Sequence, residues 1–264
     1  MNGLSAQLCE IEAIVASVKA SPPHADIVVC PPVTLVARAA QIAGGHIAVG
    51  GQNCHSEIAG EFTGDISAEM LRDAGASAVI AGHSERRQHH GETDAVIAAK
   101  VKAARRASLL AIICIGESRS QRQDGNALSV CSNQIVGSVP KGMTATTMAV
   151  AYEPLWAIGA GSTATSIEIV KMHAHIRLCL IAQLGAQGKA VRILYGGSVT
   201  PSNAREILML AEVGGALVGG ASLKASEFEP IFKAISANAQ SHRTAISPKA
   251  REESNRRSSE QRGS

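Results

Sequence analysis

The chain has 264 residues, 45% of them hydrophobic and 18% charged, with 25 glycines against 9 prolines, which is the balance of a globular protein and excludes a disordered or collagen-like one. Aromatic residues make up only 2%, so the stacking platforms of a single-stranded nucleic-acid binder are not expected. The net charge of +3 comes from residues 240–264, which hold six Lys or Arg and three Glu, and the neutral remainder predicts no nucleic-acid partner.

Short apolar runs alternate with longer helical patterns along the whole chain. We expect helices at residues 4–18, 33–42, 68–74, 94–106, 127–136, 167–184, 203–210 and 227–239. The strands, mostly apolar throughout and so buried on both faces, are expected at 27–30, 47–50, 76–81, 109–115, 148–152, 191–195 and 215–218. This alternation predicts parallel strands joined by right-handed crossovers. No Pro- or Ser-rich linker divides the body, so residues 1–239 are predicted to form a single α/β domain, a (β/α)8 barrel.

The strand count is one short of eight, because the chain opens directly on a helical pattern. A parallel barrel without one strand leaves two neighbouring strands with unpaired edges. We therefore expect that the first strand is missing from the chain as written. Either another element fills the gap, or Met1 is an internal methionine of the natural protein, which is the prediction we adopt.

His83 follows the third predicted strand, within the run Gly82-His83-Ser84-Glu85-Arg86-Arg87. Reactive groups in barrels of this kind belong at the carboxyl ends of the strands, and the Ser and Glu are suited to open a helix. A histidine at a helix start experiences the positive end of the helix dipole, which lowers its pKa and keeps the imidazole neutral. Such a histidine can donate a hydrogen bond to a substrate oxygen, although a plain surface histidine is the alternative.

Glu153 follows the strand at 148–152 and is a candidate general base. The next residues are typical of a lid that excludes water: Pro154 stiffens one end, apolar side chains add bulk and glycines permit movement. The predicted lid consists of Pro154, Leu155, Trp156, Ala157, Ile158, Ala160, Gly161, Ser162 and Thr163. An ordinary packed loop with a solvated glutamate is the alternative. The spacing of Gly159 and Gly161 is a poor match to a dinucleotide fingerprint, because it does not follow its strand directly, so a dinucleotide-binding site is not predicted.

Two glycine pairs follow the last two strands, in Gly196-Gly197-Ser198 and Gly219-Gly220. Paired glycines expose backbone N–H groups, and the last two loops of such barrels commonly hold a phosphate. Each pair alone would usually be only a turn. Together they make a phosphorylated small molecule the leading ligand.

Residues 240–264 are polar and basic with almost nothing apolar to bury, which predicts a disordered tail. Six cysteines are scattered without a Cys-x-x-Cys pair, so neither a zinc site nor a small disulfide framework is predicted. The most hydrophobic run, 109–115, is far shorter than a membrane span, and no signal-peptide pattern opens the chain. We expect a cytoplasmic protein without a membrane partner.

These motifs, in this order and spacing, resemble the triosephosphate isomerases. The resemblance covers nearly the whole chain before the tail and rests on residues 82–87, 151–159, 195–199 and 217–220, with agreement at 52–53, 62–64 and 114–117. It implies an isomerase that interconverts D-glyceraldehyde 3-phosphate and dihydroxyacetone phosphate through an enediolate, in glycolysis and gluconeogenesis.

The resemblance also implies roles for particular residues. Glu153 is the base that moves the proton, His83 polarises the carbonyl, and neither a metal nor a cofactor takes part. Residues implied to support them are Ser84, Glu85 and Cys114, and those implied to bind the phosphate are Gly159, Ser198, Gly219 and Gly220. Thr63 resembles the residue that reaches into a partner's active site, which implies a homodimer.

Two departures from the family pattern matter. The family carries Asn-x-Lys-Met-Asn-Gly where its first strand meets its first helix, whereas this sequence starts at Met1-Asn2-Gly3 without that lysine. Ser162 stands where the far hinge of the lid usually has lysine. Two alternatives stay open: an isomerase of a four-carbon ketose phosphate, and a catalytically impaired phosphate-binding barrel that serves as an assembly partner.

Overall fold

The computed structural model describes residues 1–158 and 163–235, in which seven parallel strands form one curled sheet in chain order with helices on its outside. The strands are β1 Val28–Val29, β2 Ala48–Gly51, β3 Ala78–Ala81, β4 Leu110–Ile115, β5 Met148–Tyr152, β6 Arg192–Tyr195 and β7 Gly215–Ala216. The helices are α1 Leu8–Ala20, α2 Val36–Ala43, α3 Ala68–Asp73, α4 Ser84–His89, α5 Asp94–Arg106, α6 Arg119–Gln123, α7 Ala127–Ser138, α8 Ser166–Leu184, α9 Ala186–Ala190, α10 Ala204–Leu208 and α11 Ala225–Lys233.

All seven predicted strands are present, and the all-parallel pairing is confirmed. The two end strands, β1 and β7, are only two residues long, shorter than the apolar runs that contain them. Among the described residues β1 pairs only with β2 and β7 only with β6, so each has a ladder on one side alone. Both ends of the sheet border a cavity of about 2860 Å³, lined by Val28 and Leu217 among others. The sheet is therefore open at this place.

The helices differ from their predicted bounds mainly at their ends. The pattern at 33–42 begins with a 3-10 turn, Val33–Leu35, before α2, because Pro32 precedes it in extended backbone. The last helix begins earlier than predicted and ends at Lys233, and residues 236–239 lie outside the described part, as does the predicted tail at 240–264. Helices α6 and α9 were not predicted: each has five residues, too few to show an apolar period.

The central strands β3, β4 and β5 are buried on both faces, as their apolar runs predict, whereas β1 and β7 are only half-buried. In β3, Ala78 and Ile80 face the barrel interior, where they cluster with Ile112 of β4. The alternate residues belong to the larger core outside the sheet, where Val79 packs with helix residues such as Ile97. Burial from both sides fixes the register of each central strand and so fixes where its carboxyl end emerges. In the described residues no helix combines the length and apolarity needed to cross a bilayer.

His173 of α8 is a fully buried histidine in this outer core. Its ring lies beside those of Tyr152 and Tyr195, with centroids 5.9 and 6.4 Å away, and its Nδ1 is 3.1 Å from the carbonyl oxygen of Glu212. Burial lowers the pKa of His173 from 6.5 to about 4, despite the opposing effect of that carbonyl. The imidazole therefore stays neutral at physiological pH.

We expect His173 to make the fold sensitive to mild acid. The unfolded chain binds a proton at His173 below pH 6.5 whereas the folded chain does so only near pH 4, so stability is lost as pH falls through this window. The loss reaches about 3 kcal/mol at the low end. Urea unfolding at pH 7 and pH 4.5 measures it. His173→Gln should reduce the pH dependence of the free energy of unfolding, whereas the exposed control His24→Gln should leave it unchanged. An equal loss of stability between pH 7 and pH 4.5 in the unaltered protein and both variants would contradict the assignment to His173.

Candidate active site

His83 lies where β3 ends and α4 begins, and the local sequence explains its position. Gly82 has φ +72°, and a Cβ there would lie 2.6 Å from Ile97, so only glycine makes this turn without strain. The Nδ1 atom of His83 caps α4 by accepting a hydrogen bond from the Glu85 backbone N–H at 3.3 Å. An accepting Nδ1 leaves the proton of the neutral ring on Nε2.

Glu153 lies at the carboxyl end of β5 and is only 2% exposed. One carboxylate oxygen accepts a hydrogen bond from the Ser84 backbone N–H at 2.9 Å, and the other lies 3.0 Å from His83 Nε2. Two residues predicted separately, 70 positions apart in the chain, are thus in direct contact. A carboxylate and an imidazole this close can share a proton and can act together on one bound molecule.

The charge on Glu153 governs its neighbours. Burial lowers the pKa of His83. The hydrogen bond to Glu153 and the charges of Glu153 and Glu85 raise this pKa by a larger amount, so the net shift is upward. The expectation of a lowered pKa is therefore wrong, because the Glu153 carboxylate at 3.0 Å, together with Glu85, outweighs the effect of burial. Cys114 is fully buried, and burial together with Glu153 raises the pKa of its thiol. That thiol is neutral beside the carboxylate.

Two glycines, Gly116 and Gly196, hold the backbone around Glu153, a role that the sequence analysis did not assign to either. A Cβ on Gly116 would lie 1.8 Å from the Glu153 carbonyl oxygen, and one on Gly196 would lie 2.8 Å from Glu153 Cγ. Both contacts are closer than atoms can pack, so larger side chains would displace the glutamate. The signal available in the sequence was only a glycine directly after β4 and another directly after β6, the two strands that flank β5.

The first part of the predicted lid is anchored by polar side chains of the β4 to α7 segment. Trp156 donates its indole N–H to the fully buried Glu117 at 2.8 Å, and Tyr152 donates its hydroxyl to the same oxygen at 3.0 Å. Arg122 pairs with Glu117 at 3.1 Å and lies 4.6 Å over the Trp156 ring, while Arg119 donates to the Trp156 carbonyl at 3.2 Å. The start of the lid is therefore held at several points.

The far end of the lid is connected to the same arginine. Thr165 caps α8 in a reciprocal arrangement with Glu168, and Glu168 pairs with Arg122 at 2.6 Å. Arg122 therefore bridges the residues that bound the lid on both sides. Sequence reasoning assigned no role to Glu117, Arg122 or Glu168. Of the predicted lid, Ala160, Gly161 and Ser162 lie outside the described residues, as does the predicted phosphate ligand Gly159, whereas Ala157 is buried and Ile158 and Thr163 are exposed.

The structure brings the remaining predicted phosphate ligands to the same cavity. Ser198, Gly219 and Gly220 line it together with His83 and Glu153. A Cβ added to Gly219 or Gly220 would meet only open space, and Asn203 braces the neighbouring loop by donating to the Ser198 carbonyl at 3.1 Å. Backbone at two loops thus borders the same open volume as the histidine and the glutamate. Because no side chain intervenes at these glycines, an anionic group can approach their backbone N–H groups closely.

Two other predicted residues lie further out. Thr63 is exposed on the loop between β2 and α3, next to Phe62, which is 43% exposed. Glu85 is also exposed, with its carboxylate 3.9 Å from His83 Nδ1. Within residues 1–158 and 163–235, no group of three or more His, Cys, Asp or Glu side chains is arranged to hold a metal ion.

Comparison with known proteins gives one consistent result. A family model described as triosephosphate isomerase matches residues 1–235. The chain is 54% identical to the triosephosphate isomerase of Rhodopseudomonas palustris (strain BisA53), over 86% of this chain and 91% of that protein. It is 52% identical to that of Caulobacter vibrioides, over 89% and 93%. The crystal structure of triosephosphate isomerase from Bartonella henselae superposes with a TM-score of 0.83 at 48% identity, covering 89% of this chain and 94% of that one.

Proposed function

The chain belongs to the triosephosphate isomerase family and has its TIM-barrel fold, and we propose that Glu153 and His83 together carry out the interconversion of triose phosphates in it. That reaction, between D-glyceraldehyde 3-phosphate and dihydroxyacetone phosphate, serves glycolysis and gluconeogenesis. The observation that carries the residue assignment is the 3.0 Å contact between the Glu153 carboxylate and His83 Nε2 at the edge of the cavity.

The proton transfer follows from the chemistry of these two groups. A substrate seated between them would place a carbon-bound proton within reach of the carboxylate and a carbonyl oxygen within reach of the Nε2–H. Glu153 takes the proton from one carbon and returns it to the next, while the donated hydrogen bond stabilises the negative oxygen of the enediolate. The Ser84 N–H supports the position of Glu153, and the neutral thiol of Cys114 interacts with the same carboxylate.

Closure of the lid is proposed to exclude water from this step, since a desolvated carboxylate is a stronger base. The anchoring of Trp156 by Glu117 and the bridge from Arg122 to Glu168 support defined end points for that movement. Ser162, at the far hinge, is a small side chain that suits a hinge and is expected to alter lid rates while preserving activity.

The phosphate of the substrate is proposed to lie against backbone N–H groups at Gly159, Ser198, Gly219 and Gly220. Gly220→Asp should mainly weaken binding, because it places a carboxylate in the volume that the phosphate needs. We expect the Kd for inorganic phosphate or a phosphorylated inhibitor to rise at least about tenfold. Isothermal titration measures it, with Gln41→Glu on the exposed face of α2 as a control for the added charge. Unchanged affinity in Gly220→Asp would place the phosphate elsewhere.

We also propose that the protein is a cytoplasmic homodimer. The exposed loop that carries Phe62 and Thr63 supports this, because an apolar side chain at its tip is suited to insertion into a second subunit. Gly64 and Asp65 of the same loop border the cavity of their own chain. The mass of the protein in solution checks the assembly.

A further proposal concerns the open place in the sheet. Strands β1 and β7 each lack a partner on one side in the described residues, next to the glycine loops of the site. We propose that the active barrel contains one more parallel strand between them. By resemblance that strand ends in Asn-x-Lys, and its lysine neutralises the anionic substrate.

The experiment that tests the function is a coupled assay with glyceraldehyde 3-phosphate and, separately, with dihydroxyacetone phosphate. Turnover in both directions is expected. A four-carbon ketose phosphate in the same assay tests the alternative substrate. Absence of turnover with all three sugar phosphates, in the protein with its sheet closed, would leave a barrel that binds phosphate without catalysis.

A further inference from the structure

Three polar side chains from two neighbouring helices meet on the outside of the barrel, away from the cavity. They are Ser132 of α7 and His175 and Cys179 of α8, which we call the thiol cluster. His175 Nε2 lies 2.7 Å from Ser132 Oγ and 3.6 Å from Cys179 Sγ, and Sγ lies 3.4 Å from the same hydroxyl. Each of the three side chains thus contacts the other two.

The cluster places two potential hydrogen-bonding partners beside the Cys179 sulfur. Ser132 can donate to the Leu128 carbonyl at 3.0 Å, and His175 Nε2 lies 3.1 Å from the same oxygen. That carbonyl oxygen has two lone pairs and can accept from both groups. In the tautomer whose proton is on Nδ1, only the hydroxyl donates to it, and His175 Nε2 is free to accept the Cys179 proton. When Cys179 releases its proton to the imidazole, the resulting thiolate faces two donors, His175 Nε2–H and the Ser132 hydroxyl.

The other described cysteines differ in burial or in surroundings. Cys54, Cys114 and Cys131 are buried. Burial raises the pKa of Cys54 to about 11, and it also raises the pKa values of Cys114 and Cys131. Burial raises the pKa of Cys30 to about 12. Cys9 is exposed on α1, and Cys179 is half-buried within reach of an imidazole. Cys9 therefore serves as an internal reference: it is an exposed cysteine outside the thiol cluster.

We propose that Cys179 is a thiol–disulfide exchange site for small disulfides such as glutathione disulfide. His175 Nε2 takes the thiol proton, and the Cys179 thiolate attacks one sulfur of the disulfide. The new bond joins Sγ to that sulfur, the original S–S bond breaks, and the leaving thiolate takes the proton back from His175. One mixed disulfide and one free thiol result, with no other oxidant required. The site is separate from the isomerase cavity, so modification leaves turnover unchanged.

The test is the rate of mixed-disulfide formation at each cysteine, measured by peptide mass mapping after timed exposure to glutathione disulfide at neutral pH. We expect Cys179 to react before Cys9 although Cys9 is more exposed. His175→Gln should slow Cys179 by about tenfold or more and leave Cys9 unchanged. The matched control Leu178→Gln, at an exposed position of the same helix, should leave both rates unchanged.

The reaction at Cys9 in the same molecules separates loss of the cluster from loss of the fold. Faster reaction at Cys9 than at Cys179 in the unaltered protein would overturn the proposal. So would a His175→Gln variant in which Cys179 reacts as fast as before or faster, or in which both cysteines change by the same factor. The isomerase assay does not enter this test, so a failure here leaves the proposed function untouched.

Discussion

Glu153→Gln is expected to lower kcat by about 10³-fold or more while the affinity for phosphorylated inhibitors stays roughly the same. The amide has the shape of the carboxylate and can still face His83 Nε2 and the Ser84 N–H, but it cannot accept a proton from carbon. The loss therefore falls on the transition state and leaves ground-state binding intact. Steady-state kinetics and inhibitor titration of the protein in its active form measure the two effects.

A matched control is Glu12→Gln, which makes the same chemical change at an exposed position of α1 and should alter neither quantity. If kcat of Glu153→Gln equalled that of the unaltered protein, another group would be the base. If inhibitor affinity fell as strongly as kcat, Glu153 would act in binding, and the proton-transfer role would have to be given up.

Closing the sheet is expected to have the second large effect. A version of the chain carrying one additional apolar strand that ends in Asn-x-Lys ahead of Met1 should melt at higher temperature and turn over at least about 100-fold faster. The strand would pair with β1 and β7, whose outer edges are unpaired in the described residues, and would fill part of the cavity between them. The lysine would compensate the substrate's charge in a site from which water is excluded. Thermal melts and the coupled assay give the two readouts.

Two control versions separate pairing from charge. An added strand ending in Asn-x-Met should raise the melting temperature without restoring turnover, since it closes the sheet but lacks the cation. An added strand interrupted by proline should do neither, because proline cannot donate to the ladder. Full isomerase activity of the chain as written, or equal activity of the Met and Lys versions, would contradict the assigned need for the lysine.

Much of the site followed from strand order. Because parallel strands deliver their carboxyl ends to one edge of the barrel, residues placed directly after a strand could be expected to meet. His83 after β3 and Glu153 after β5 do so at 3.0 Å. The glycine pairs after β6 and β7 line the same cavity. The bounds of β1 and β7 were less well predicted, since strand length depends on neighbours on both sides.

The sign of the His83 pKa shift could not be predicted from the sequence. The helix start was visible as Ser84 and Glu85, and it argued for a lowered pKa. The opposing carboxylate of Glu153 is 70 residues away, and its distance from the imidazole is a product of folding alone. Electrostatic effects fall steeply with distance, so a pattern along the chain does not fix their balance.

The family, the parallel α/β architecture and the candidate site residues could all be read from the sequence, because apolar periodicity and strand-end motifs are local properties of the chain. The groups that hold these residues in place became visible only in the folded chain: Gly116 against the Glu153 carbonyl, Glu117 and Arg122 around Trp156, and Ser132 beside Cys179. These contacts join segments up to about 50 residues apart, and each depends on packing distances of a few ångströms that no local pattern encodes.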